Sequence, residues 1–187
     1  MIFETVIISS DDKNIPHVTP FGIRYEGEQI IISPYKPSKT LNNIMTTKVA
    51  TMNVTDDVRV FAGALTNRQP WQLESTEGIN GFRLQDCLMH IELRLQEVRE
   101  DEVRPQLVMT QLKKQHHRDF SGFNRAQAAV IELAVLTSRL HMLPREKIQS
   151  ELKYLQIAID KTAGEKEQEA WSWLTEKINQ YYENSAV

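Results

Sequence analysis

The hydrophobic period of this chain changes once, and that change limits the fold more than any motif. Up to about residue 119 apolar residues either alternate with polar ones or come in short runs. From Asn124 they recur at helical spacing, with Ala126, Ala129, Leu133, Leu136 and Leu140 on one face. A chain of strands followed by helices excludes the alternating pattern of a doubly wound parallel sheet and favours an α+β arrangement.

Turn chemistry divides the first part into antiparallel strands. Ile2 to Ser9 is joined by Asp11-Asp12-Lys13-Asn14 to a strand from His17 to Tyr25. Glu26-Gly27-Glu28 then leads into Gln29 to Ser33, whose Ile30-Ile31-Ile32 core reads as buried on both faces. Further strands are expected over Val49 to Val54, Val58 to Leu65, Leu84 to Val98 and Val103 to Leu112, with Pro105 tolerable only near an edge or a strand start. In Leu84 to Val98 the apolar Cys87, Met89, Ile91, Leu93 and Leu95 alternate with His90, Glu92 and Arg94, which reads as a half-buried strand. Thr66 to Gly81 reads as a long irregular loop carrying Trp71, and a loop of that length in a compact barrel points to binding.

Three helices follow: one capped by Asn124, one opening at Pro144 with Ile148, Leu152, Leu155 and Ile159 on a face and stopped by Gly164, and one over Glu165 to Tyr182. The expected organisation is a closed or partly closed antiparallel barrel at 1–119 with one short inserted helix. A helical region at 120–187 should pack on the barrel and on a partner subunit, because no long Gly/Ser linker separates the two. A net charge of -3 implies no general attraction to nucleic acid or anionic membranes. The single cysteine, Cys87, allows no intramolecular disulfide framework and suits a reduced cytoplasmic setting. The Met1 to Ser10 segment contains Glu4 and is too short to span a bilayer, so it reads as the first strand.

The segment with the most chemistry is Ser33 to Asp57. Lys36, Ser38, Lys39 and Thr40 place ammonium groups and hydroxyls where an apolar strand gives way to a short helix, Lys39 to Thr46. A helix start with exposed N–H groups suits an anion. The competing reading is that Ser38 merely caps that helix while the lysines face water.

Lys36, Ser38, Thr40, Asn43, Ile44 and Asn53, preceded by His17-Val18-Thr19-Pro20-Phe21-Gly22, resemble the FMN-binding split barrels, and the Lys-Thr-x-x-Asn-Ile run is similar to flavin-reductase-like members. Phe123-Asn124-Arg125-Ala126 and Arg139 to Glu146 extend the likeness over nearly the whole chain, toward an uncharacterised, archaeal-type family of split-barrel flavoproteins. That family is also found in bacteria with methanopterin-linked one-carbon metabolism. The resemblance implies an FMN-binding split β-barrel, antiparallel and Greek-key-like, followed by a C-terminal three-helix region. It also implies a homodimer with a shared flavin site. On that basis Lys36, Ser38 and Thr40 hold the phosphate and Asn43 steadies the loop. His17, Val18, Thr19, Pro20 and Phe21 meet the ribityl chain and ring, together with Asn53, Val54, Thr55 and Asp56.

Several residues carry two readings. Asn53 and Thr55-Asp56-Asp57 also read as an ordinary strand end and turn. Phe123, Asn124 and Arg125 can reach a neighbour's flavin; alternatively Phe123 and Asn124 form a hydrophobic staple and helix cap, which leaves Arg125 to pair with phosphate or with Glu132. Trp71 can stack on a flavin or pterin ring. His116 and His117 lack a third nearby ligand, so no metal is expected, and their basic neighbours read as a solvated strand end. No residue stands out as a catalytic acid or base. The implied function is an FMN-dependent oxidoreductase drawing on a nicotinamide or deazaflavin, with a pterin as a candidate acceptor. A non-enzymatic flavin carrier or redox sensor is the alternative.

Overall fold

The computed structural model describes residues 1–184. The chain forms β1 (Phe3–Ser10), β2 (Pro16–Glu26), β3 (Gln29–Ile32), α1 (Lys39–Thr47), β4 (Val49–Val54), α2 (Arg59–Thr66), β5 (Leu73–Ser75), β6 (Phe82–Leu84), β7 (Met89–Arg99), β8 (Gln106–His116), α3 (Arg125–Thr137), α4 (Arg145–Thr162) and α5 (Glu165–Asn184). These elements cluster into a barrel unit, residues 1–55 and 71–120, and a helical unit, residues 56–70 and 121 onward.

In the barrel unit six strands close in the order β1-β2-β3-β8-β7-β4, all antiparallel, and β5 pairs with β6 in a separate hairpin. The period of two sends Ile7, Ile23, Ile30, Ile32, Met52, Ile91, Leu93, Leu107 and Met109 into one buried core, and α1 adds Leu41 and Ile44 to it. The turn chemistry acts as its residue types require. The Asp11 carboxylate accepts from the Lys13 and Ile15 N–H groups at 3.0 and 2.8 Å, and Gly27 takes φ +61° between β2 and β3. The isoleucine run of β3 is buried on both faces.

The helical unit contains an element that the sequence pattern assigns to the sheet. Val58 to Leu65, expected as a strand, is α2. A short run of apolar residues has no decisive period, and here Ala62 and Ala64 favour the helix while Val60, Phe61 and Ala62 are buried. The Asp57 carboxylate opens it by accepting from the Arg59 N–H at 3.2 Å. Burial would raise the Asp57 carboxyl, yet Arg59 and Lys166 hold it below the usual carboxylate range. The face expected for α3 is buried, as are Ala170, Leu174 and Ile178 of α5, whereas Leu152 and Leu155 of α4 are only half-buried.

Three strand boundaries also differ, and one of them is β8, which runs Gln106–His116 where Val103 to Leu112 was expected. The expected Leu84 to Val98 strand is divided, with Leu84 ending β6 and β7 starting at Met89, and the loop over Thr66 to Gly81 contains β5. The hairpin β5–β6 carries too few residues to show a period. Among the described residues, no helix is long and apolar enough to cross a membrane.

A polar cluster at the start of helix α1 and a buried histidine pair

At the start of α1 the extended Ser38 caps the helix, its hydroxyl accepting from the Leu41 N–H at 3.3 Å. The Lys39 and Thr40 N–H groups, at the first helical positions, have no partner among the described residues. Thr40 is 1% exposed, and its hydroxyl points to Thr19 on β2 at 3.5 Å, while Thr19 meets His17 Nε2 at 2.7 Å. His17, Thr19 and Phe21 alternate along β2 on one face, with Thr19 opposite the core residue Ile7 and Phe21 packed on the core. Val18 and Pro20 occupy the other face. Burial, and then the charge of Lys39, push His17 below the usual histidine range, which favours the neutral ring beside Thr19. The arrangement presents two N–H groups, a lysine and a hydroxyl chain on one side of a helix start, which suits an anion.

Other expected site residues are occupied elsewhere. The Lys36 ammonium donates to the Asp101 carbonyl at 2.9 Å and lies 3.3 Å from Glu100, so it is held by the turn between β7 and β8. Asn43 donates to the Ser9 hydroxyl at 3.1 Å, tying α1 to β1. Asn53 is wholly buried: its amide donates to the Val6 carbonyl at 3.3 Å and the Thr51 hydroxyl at 3.0 Å, and its carbonyl accepts from the Leu84 N–H at 2.9 Å. It fastens β1, β4 and β6 together, a role neither of its sequence readings contained. Val54 closes β4 half-buried, with its carbonyl accepting from the Leu88 N–H at 2.8 Å, and Thr55 ends that segment of the barrel unit. Trp71 is half-buried just before β5.

Asp56, Asn124 and Arg125 belong to the helical unit. Asn124 is the α3 cap, its carbonyl oxygen accepting from the Ala126 and Gln127 N–H groups while its amide donates to the Thr162 carbonyl at 3.0 Å. Arg125 is exposed on the first turn of α3.

Sequence reasoning missed a second polar cluster. His90 and Glu92, expected on the solvent side of their strand, are 2% and 1% exposed. His90 Nδ1 lies 2.8 Å from His117 Nε2 with the rings stacked 5.0 Å apart, and His90 Nε2 faces Glu92 at 3.7 Å. Glu92 Oε1 accepts from the Glu77 N–H at 3.3 Å in the β5–β6 loop, while Glu92 Oε2 has no partner among the described residues. A Cβ on Gly78 would lie 2.2 Å from that oxygen, so glycine permits the close approach. The available signal was two ionisable residues alternating within a strand that follows a glycine-bearing segment; alternation alone cannot say that the polar face is covered too. Among the described residues no group of three or more His, Cys, Asp or Glu side chains is placed to hold a metal ion.

Burial, as the leading cause, lowers His17, His90 and His117 from 6.5. The unfolded chain therefore takes up these protons first as pH falls below that value, and stability is lost from there down to the folded pKa values. A urea midpoint measured at pH 7.5 and 5.5 should fall at the lower pH; an unchanged or higher midpoint would contradict the burial argument.

The fold has close parallels. An FMN-bound DUF447 protein from Methanosarcina mazei superposes with a TM-score of 0.82 over 94% of each chain at 20% identity. The 2-nitrobenzoate 2-nitroreductase of Pseudomonas fluorescens matches with a TM-score of 0.54 at 16% identity, over 61% of this chain and 64% of that one. A putative flavin reductase from Haemophilus somnus matches with 0.53 at 11% identity, over 63% and 81% respectively. The parallels establish the split-barrel fold. No curated protein matches the chain significantly. Residues 3–118 match the N-terminal domain of the protein family of unknown function DUF447, and residues 124–176 match its second domain. With both domains matched in order, the chain belongs to the DUF447 family.

Proposed function

We propose that the chain is an FMN-binding flavoprotein acting as a flavin-reductase-like oxidoreductase. The observation that carries this reading is the start of α1, where the Lys39 and Thr40 N–H groups, the Lys39 ammonium and the Thr40–Thr19–His17 chain converge on one side. The donor set fits the dianionic phosphate of FMN, and an FMN-bound relative shares the fold. Ser38, Lys39 and Thr40 would hold the phosphate, and the His17–Phe21 strand would line the ribityl chain. When bound, FMN supplies the redox chemistry, accepting a hydride from a reduced nicotinamide or deazaflavin and releasing electrons to an acceptor such as a pterin. The chain's part is binding and orientation. The working unit in this reading is a homodimer in the cytoplasm, consistent with the lone buried Cys87.

The test is the visible spectrum of the purified protein after equilibration with FMN and removal of free ligand. Retained flavin bands at about one cofactor per chain, bleached by a reduced nicotinamide or deazaflavin and restored by an acceptor, are expected. Absence of retained flavin overturns the reading, and bleaching without turnover favours a carrier or sensor.

The same titration separates the lysines. Lys39→Ala and Thr40→Ala should each weaken FMN binding about tenfold, the worth of one charge-assisted hydrogen bond. Lys36→Ala should change it less than about threefold, because that ammonium is committed to Glu100 and Asp101. The largest loss in Lys36→Ala would move the phosphate away from α1.

A further inference from the structure

We propose that Glu92, His90 and His117 form a proton relay that accepts a proton at His117 Nδ1 and stores it on the buried Glu92 carboxylate. As a service to flavin chemistry it rests on the flavoprotein reading, but its existence does not. The two contacts differ in kind. His90 Nε2 has no hydrogen-bond partner among the described residues, and the carboxylate 3.7 Å away favours a proton on that nitrogen, which leaves Nδ1 as a lone pair. The 2.8 Å contact then requires His117 Nε2 to donate to His90 Nδ1, leaving His117 Nδ1 unprotonated. His117 is only partly buried, and its Nδ1 bonds no group among the described residues.

A proton arriving at His117 Nδ1 displaces the one on Nε2 to His90 Nδ1. The proton on His90 Nε2 passes in turn to Glu92, closing the 3.7 Å gap by rotation of a carboxyl whose Oε2 is otherwise unpartnered. One proton enters, both imidazoles exchange tautomers, and the carboxylate becomes a carboxylic acid. Neither histidine holds a net charge at the end. Burial disfavours an imidazolium at His90, with the charge of His117 adding to that effect and Glu92 opposing it, so His90 passes the proton on rather than keeping it.

The surrounding charges are Arg83 and Glu74 on the β5–β6 hairpin, Glu77 in its loop paired to Lys113 of β8, and His116 beside His117. The outer end of the relay lies near the expected flavin segment. The His117 N–H donates to the Leu88 carbonyl at 2.9 Å and the Leu88 N–H to that of Val54 at 2.8 Å, while Asn53 faces His90 in register. Flavin reduction by hydride consumes a proton, and Glu92 provides a store for it away from water.

Imidazole nitrogen NMR on the full-length protein without FMN, followed across pH, tests the relay directly. Wild type should show both histidines as Nε2–H tautomers at high pH and both exchanging to Nδ1–H together as one proton enters. Glu92→Gln should abolish the exchange, leaving His117 to take up its proton as an imidazolium. Independent titration of the two rings in wild type, or the same exchange in Glu92→Gln, overturns the relay. If Glu92→Gln fails to fold, His117→Asn serves instead: His90 should then keep one tautomer throughout, and a tautomer change overturns the proposal. With FMN loaded, the pH dependence of the flavin reduction potential should lose a break in Glu92→Gln that coincides with the tautomer exchange in wild type. An identical profile in both overturns the service to flavin. Failure to retain FMN is a separate result that sinks the flavoprotein reading and leaves the NMR test standing.

Discussion

Replacing Asn53 with alanine should destabilise the barrel by about 4 kcal/mol, more than any other substitution of an expected flavin contact. The figure follows from what one side chain satisfies. Its carbonyl oxygen is the partner of the Leu84 N–H, and orphaning a buried N–H costs roughly 1–3 kcal/mol. The two bonds to Val6 and Thr51 add about 1 kcal/mol each, with no water at hand to replace them because Asn53 is wholly buried. Asn53→Asp should be comparably damaging, since a carboxylate accepts from Leu84 but offers nothing to the Val6 carbonyl. Thr40→Ala, by contrast, loses one 3.5 Å contact and should cost well under about 1 kcal/mol. Denaturant unfolding read by a sheet signal measures both, and FMN retained per folded molecule should be unchanged in Asn53→Ala. Lost flavin at unchanged stability would show that Asn53 serves the cofactor rather than the sheet.

That contrast marks how far the residues alone can be read. Asn53 was singled out by resemblance, yet two of its three bonds reach Val6 and Leu84, 47 and 31 residues away. No local pattern encodes partners at that separation. Ser38 and Asn124 were legible as helix caps for the opposite reason, since a cap is satisfied within three residues. Thr40, Thr19 and His17 could each be named from residue type and resemblance. Their hydroxyl chain depends on how α1 meets β2, which only the closed barrel fixes.

His90 and Glu92 show the limit most clearly. Alternation with Ile91 and Leu93 correctly gives a strand with two unlike faces. It gives no warning that a hairpin covers the polar face, because β5 and β6 are three residues each and separated by a loop containing Gly78 and Gly81. Burial of two ionisable groups then follows from the cover rather than from the strand. A buried carboxylate is costly unless paired or put to use, and here it is met by one backbone N–H and a histidine.

A chain ending at residue 120 should aggregate, and replacing its residues 56–70 with a flexible Gly/Ser linker should restore a soluble barrel. The reason lies in α2, which the sequence pattern placed among the strands. Within the helical unit α2 gives up Val60, Phe61 and Ala62 to burial, each large side chain worth about 1.5–3 kcal/mol. Its charged rim is matched to α5: Arg59 meets Glu169 at 3.1 Å, Arg68 meets Glu176 at 2.7 Å and lies over Trp173, and Lys177 donates to the Leu65 carbonyl. Lys166, just inside α5, also neutralises Asp57 at 3.1 Å. Cutting at 120 removes every one of those partners and leaves an apolar helix on a chain that keeps its anchor points. Deleting the excursion as well removes the exposed face together with the Asp57–Arg59 pair, which the cut would strip of Lys166 and Glu169. Size-exclusion chromatography with far-UV circular dichroism decides the matter. Soluble, undisturbed 1–120 would mean that α2 does not depend on the C-terminal helices for its burial, and that the inserted helix belongs to the barrel in solution.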